Sequence, residues 1–180
     1  FEGSVYTLPL GYTWQNDKGY AVDLDVPVTY LDTGGSAAFH GSFGVGVQIP
    51  VLDHWYVTPA FRIGGAGSLD LGAAAVIWSP SITSRYDLTV YDHPVTIGNM
   101  FGYYRTTSLS AGEYSIDYNL SNFVFRNGVN VHGSLPFDIA GRPLNWEAGI
   151  IHTEFFGDEL YVHRYTDFVA SVAMSGVIAG

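Results

Sequence analysis

Lysine occurs once in this chain, at Lys18, and cysteine does not occur at all. Charged residues make up 13% of the sequence, against roughly 25% in an average soluble domain. A soluble sheet keeps its exposed face wet with long charged side chains, and this chain cannot supply enough of them. Something other than bulk water is therefore expected to cover much of its surface. The net charge of -10, with no basic stripe to meet phosphates, argues against a nucleic-acid partner. Absence of cysteine excludes disulfides, thiolate metal sites and cysteine nucleophiles together, and is compatible with an oxidising compartment. No apolar run approaches the roughly 18 to 20 residues of a membrane-spanning helix, which leaves a spanning barrel open. Neither a repeat of fixed period nor a low-complexity linker divides the chain, so residues 1–180 read as one domain. It begins at Phe1 with no charged leader, which predicts a mature chain or a fragment of a larger one.

Aromatic residues at 16% and 22 glycines are abundant instead, and both suit a β-rich fold. In YAVDLDVPVTY (20–30), Tyr20, Val22, Leu24, Val26, Val28 and Tyr30 share one face. Ala21, Asp23, Asp25, Pro27 and Thr29 share the other. SVYTLPLGYTW places Tyr6, Leu8, Leu10, Tyr12 and Trp14 together. AFHGSFGVGVQIPV sets Phe39, Phe43, Val45, Val47 and Ile49 against His40, Ser42, Gly44, Gly46 and Gln48. WYVTPAFRI sets Trp55, Val57, Phe61 and Ile63 against Tyr56, Thr58, Ala60 and Arg62. Short turns at QNDKG (15–19), DTGGS (32–36) and LDH (52–54) separate these segments, which predicts an antiparallel meander.

Further along, GGAGSLDLG (64–72) reads as a turn, YDHP (91–94) as another, TTSLSAGE (106–113) as the longest polar loop, and YSIDYNL (114–120) as a strand. AGRP (140–143) is a turn. SNFVFRNG (121–128) admits two readings. Asn-Gly marks a hairpin, while a cap before an apolar turn closed by Gly128 marks a short helix near 120–127. The expected fold is all-β, an antiparallel up-and-down barrel of about eight to ten strands.

The occupant of the second face separates a soluble barrel from a membrane one. Lipocalin-like barrels point the apolar face inward and clothe the outside with charge. Here the second face is small or short-polar, as a crowded lumen would be, and the first is aliphatic with aromatics near strand ends, as a lipid-facing band would be. Prolines within or beside several strands (Pro9, Pro27, Pro50, Pro59, Pro80) count against a closed ladder, because each removes a donor.

The run QIPVLDHWYVTPAFRIGGAGSLDLGAAAVIWSPSITSRYDL, with GNMFGYYRT and TEFFGDELYVHRY downstream, resembles the barrel segment of autotransporter-like bacterial outer-membrane proteins. The matching features are P-V-x-x-x-W-x-x-T-P, G-S-x-D-L-G and S-x-x-S-R-Y. The resemblance covers about two thirds of the chain, implies an outer-membrane barrel of a Gram-negative cell envelope, and brings no defined activity.

His-Gly-Ser occurs at 40–42 and 132–134. His and Ser two apart share a strand face, as a base and its nucleophile do, and outer-membrane lipid A deacylases use such a pair. No oxyanion arrangement or third member accompanies it, so a structural role is favoured and no catalytic residue is assigned. His152 and Glu154, with Asp158, Glu159 and His163, lack the tight spacing of a zinc motif and read as loop and lumen polarity. No metal or cofactor is expected. Asp23, Asp25, His40, Ser42 and Arg62 are the candidate residues lining a lumen or ligand cavity, with the charged ones forming an interior network. The expected function is a small outer-membrane barrel with a structural, adhesive or narrow transport role, surrounded by lipid and able to form a homo-oligomer. The alternative is a secreted or periplasmic soluble β protein that self-assembles or binds an apolar ligand.

Overall fold

A computed structural model describes residues 3–32, 35–68, 73–109, 119–139 and 142–174. These form eleven strands: β1 (Ser4–Leu8), β2 (Gly11–Gln15), β3 (Ala21–Asp25), β4 (Val28–Asp32), β5 (Ala37–Leu52) and β6 (Trp55–Ser68). They continue as β7 (Ala73–Val90), β8 (His93–Leu109), β9 (Ser121–Ile139), β10 (Arg142–Gly157) and β11 (Arg164–Met174). All pairings are antiparallel. One sheet curls into a half-barrel of nine spans, because β1 with β2, and β3 with β4, are each one span broken in the middle.

The two breaks lie side by side and have one cause. Pro9 and Pro27 cannot donate to a ladder, and at that level Val26 N–H donates instead to Leu10 O at 2.7 Å, while Ser42 N–H reaches Pro27 O at 3.2 Å. The other prolines are absorbed in similar ways. The β5–β6 register shifts between Pro50 and Leu52, and that of β9–β10 between Pro143 and Asn145. Pro59 and Pro80 stay inside their strands, where the adjoining β5–β6 and β7–β8 ladders skip a step.

Several turns sit where their chemistry puts them. Asn16 Oδ1 accepts from Lys18 N at 2.9 Å and Tyr20 N at 3.1 Å, a side-chain-closed turn. Tyr91 and Asp92 both have positive φ, at 48° and 65°, the twist that two-residue hairpins favour. Other expectations are corrected. Gly64–Ser68 extend β6 rather than turning, and β8 continues to Leu109, into the first four residues of the expected loop, while 69–72 and 110–113 lie outside the described residues. Among the described residues there is no helix, and residues 121–128 lie inside β9. There Asn127 pairs with both Asn99 and His152, so flanking strands on both sides override the local cap and hairpin signals. Most of the strand expected over 114–120 lies outside the described residues.

The two faces differ: most large hydrophobics lie on one and most small or polar residues on the other, with Asn99, Asn127 and Glu154 on the convex face and Val5 and Leu31 on the concave face as exceptions. On the concave face the side chains are small or polar and crowded: Ser42, Ser79, Asn122, Val124 and Thr153 are buried. On the convex face the large hydrophobics are exposed, among them Leu24, Phe43, Val47, Phe61, Ile82, Phe101 and Phe168. Among the described residues no second layer covers either face. The alternation is realised in β3 and β4, with Val22, Leu24, Val28 and Tyr30 convex and both aspartates concave.

Candidate functional site: the concave polar face

Three neighbouring strands bring the first cluster together. Asp25 on β3 and Arg62 on β6 both pair with Gly44 on the intervening β5. The Asp25 carboxylate reaches across that strand to accept from Arg62 Nε at 3.1 Å and Nη2 at 2.6 Å. Glycine is needed for this crossing. A Cβ on Gly44 would collide with the Asp25 carboxylate, whose Oδ1 is its nearest neighbour. One step along, Asp23 faces Gly46 and accepts from Thr13 Oγ1 at 2.6 Å. The ion pair is partly open to solvent, with side chains 46% and 35% exposed. It therefore organises the surface more than it stabilises it.

His40 and Ser42 follow on the same face of β5. The His40 ring is half-buried beside Thr29 and Ala66 in the register. Ser42 is buried at 7% exposure, and its Oγ has no hydrogen-bond partner. No bond joins the two, so the arrangement offers no activated nucleophile of the base-paired kind. In the second His-Gly-Ser, Ser134 Oγ bonds Asn145 Oδ1 at 3.0 Å instead. All five candidates thus share the concave face of β3, β5 and β6; Asp25 and Arg62 touch, Asp23 lies one step to one side of that pair, and Ser42 and His40 lie one and two steps to the other.

A second cluster, not singled out from the sequence, occupies the concave face of β7–β11. Arg85 Nε lies 3.2 Å from Asp87 Oδ2, and its guanidinium stacks 4.6 Å from the Tyr56 ring centre. Asp87 also accepts from Thr96 Oγ1 at 2.8 Å. Asn130 Nδ2 donates to Glu147 Oε1 at 2.8 Å across Gly149, which leaves room for it as Gly44 does for Asp25. Arg126 donates to Thr153 Oγ1 at 3.2 Å and Tyr165 Oη at 3.3 Å. Arg85, Asp87, Thr96 and His132 line an open recess of about 590 Å³. The signal was present in the sequence: in SITSRYDL, Ser81, Thr83, Arg85 and Asp87 share one parity and Ile82, Tyr86 and Leu88 the other.

His152 and Glu154 depart from the expected lumen. They share the parity of Trp146 and Ile150 and lie on the convex face, 3.3 Å apart. Among the described residues no group of three His, Asp or Glu side chains is placed to hold a metal ion. The concave face carries paired charges and amides among small side chains. No family model and no curated protein matches this chain.

Proposed function

We propose that the chain forms the wall of a membrane-spanning β-barrel in a bacterial outer membrane, autotransporter-like in type, with the concave face toward the lumen and the convex face toward lipid. One observation carries this reading: the large hydrophobics are on the exposed face and the small, polar residues on the crowded one. A single-layer sheet with that distribution has no means of hiding its apolar face in water, whereas lipid requires it.

Two further features support it. On the rim that carries connections 16–20, 53–54, 91–92 and 140–141, three of the four are two residues long, while the opposite rim carries 110–120 and 158–163. Spanning barrels have this asymmetry of short turns and longer loops. Aromatics also gather toward each rim on the convex side. Trp14, Trp55 and Trp146 lie near the short turns; Tyr6 stacks on Tyr30 and Tyr30 tilts against Phe39 near the other rim.

The role is structural, adhesive or one of narrow transport along the polar lining. The soluble alternative, a self-assembling β protein, draws on the unpaired outer edges of β1 and β11. Heat-modifiability after membrane fractionation separates the two. The barrel reading expects a protein that needs detergent for extraction and changes mobility on a denaturing gel only after boiling. Recovery in the aqueous fraction without detergent, and no mobility shift, would overturn it.

A further inference from the structure

Five glycines of the concave face leave room for a neighbour. An added Cβ would lie within 3.4 Å of Asp25 at Gly44, Thr58 at Gly46, Ser42 at Gly64, Ser81 at Gly102 and Asn130 at Gly149. Gly98, on the same face of β8, is different, because nothing lies within 4 Å of its Cβ position. Its register places it between Arg85 on β7 and Gly128 on β9. The Arg85 guanidinium lies over Tyr56, on the side away from Gly98, and so leaves the space unfilled. Ile151 leans over Gly128, whose added Cβ would come 3.2 Å from its Cγ1. The result is a recess of about 270 Å³ over bare backbone, walled by Thr83, Thr96, Met100, Arg126, Asn130 and Ile151.

Arg126 supplies the second observation. On the concave face Arg62 pairs with Asp25 and Arg85 with Asp87. Arg126 donates instead to two neutral hydroxyls, Thr153 Oγ1 and Tyr165 Oη. Among the described residues no carboxylate lies within ion-pair distance of it. Asp87 is held by Arg85 and Thr96, Glu147 by Asn130, and Asp167 stands on the far side of Ile151. A half-buried guanidinium with only neutral partners favours an anion beside it, and its planar fork matches a carboxylate.

We infer that this recess binds small monocarboxylates with a thin apolar body. On the barrel reading, on which the inference rests for its place in a lumen, these are the solutes that the narrow transport role concerns. The carboxylate meets Arg126, and the body lies on the Gly98 backbone between Met100 and Ile151. One cation without a counter-charge sets one negative charge on the ligand. A second would stand near Asp87 and Glu147, which Thr96 and Asn130 hold at the recess wall. The bare floor and the two apolar walls favour a flat or unbranched body over a bulky one.

Calorimetric titration of the folded chain with benzoate reads the site directly, and saturable binding is expected. Benzamide keeps the ring without the charge, and acetate the charge without the ring. Each is expected to bind about tenfold more weakly than benzoate, or worse. Arg126→Gln removes the cation, while Gly98→Val fills the floor and leaves every polar side chain in place. Both are expected to weaken benzoate binding by about the same factor. Gly41→Val makes the same replacement on the convex face, at a glycine whose Cβ position is also open, and is expected to bind as the parent does. No saturable binding by the parent, equal binding of benzamide or acetate, or binding that survives Arg126→Gln or Gly98→Val would overturn the site. A detergent-dependent, heat-modifiable chain that ignores benzoate overturns the site alone. Recovery in the aqueous fraction overturns the barrel reading, and the transported solute with it, whatever the recess binds.

Discussion

Gly44 shows how the concave face is built at the scale of single residues. The sequence pattern places Asp25, Gly44 and Arg62 on one parity of three strands, but parity does not say that a carboxylate bridges over the middle strand. That depends on register, which the turns fix, and on the missing side chain at Gly44. Gly149 likewise leaves room for the Asn130 amide, whose partner Glu147 lies on the same strand as Gly149, so no strand is crossed there. The sequence shows both glycines only as small residues on one parity. Gly44→Val is expected to expel Asp25 from Arg62 and destabilise the sheet by about 1–3 kcal/mol, the range of overpacking. Arg62→Ala, which removes a half-exposed ion pair and leaves the glycine, is expected to cost no more than about 1 kcal/mol. Urea unfolding of both variants in detergent would check the order. A Gly44→Val chain as stable as the parent would contradict the crossing.

Strands were the most legible elements, for a physical reason. A period of two is written in the sequence whatever the partners, so Tyr20–Tyr30 and Trp55–Ile63 emerged with the right faces. Element ends and interruptions were less legible. Pro9 and Pro27 read as separate irregularities, and only pairing shows that they coincide and compensate. Asn127-Gly128 carries a local hairpin signal that β8 and β10 overrule from both sides. His152 escaped because polarity was equated with lumen, although its parity with Trp146 and Ile150 pointed outward. The convex face of β3 offers a prediction at this scale. Leu24, 38% exposed, has only aliphatic and aromatic register neighbours there, Tyr12 and Val45. Leu24→Arg is expected to cost roughly 2–4 kcal/mol in a bilayer if the site is at mid-depth. At an exposed position in water the same change falls within about 0.5 kcal/mol. Equilibrium folding into vesicles reads the difference, and a near-neutral result would place this face in water.

At the scale of the whole molecule, nine spans make the first and last strands run in the same direction. Direct pairing of β1 with β11 would be parallel, and an all-antiparallel closure needs an odd number of further strands. Composition gave no access to this, because strand count depends on which breaks interrupt a span and which end it. Composition bears on the proposed medium: one lysine, few charges and many aromatics are scarce provision for a sheet face exposed to water. The four tryptophans, Trp14, Trp55, Trp78 and Trp146, all lie on the convex face by register. The unmodified chain therefore carries its own probes of what that face touches. The most direct measurement is tryptophan fluorescence of the protein folded into vesicles, with bromine-labelled acyl chains and aqueous iodide as alternative quenchers. Strong quenching by the brominated lipid and little by iodide is the expected result. Quenching by iodide with none from the brominated chains would put the convex face in water and contradict the inside-out reading of this sheet.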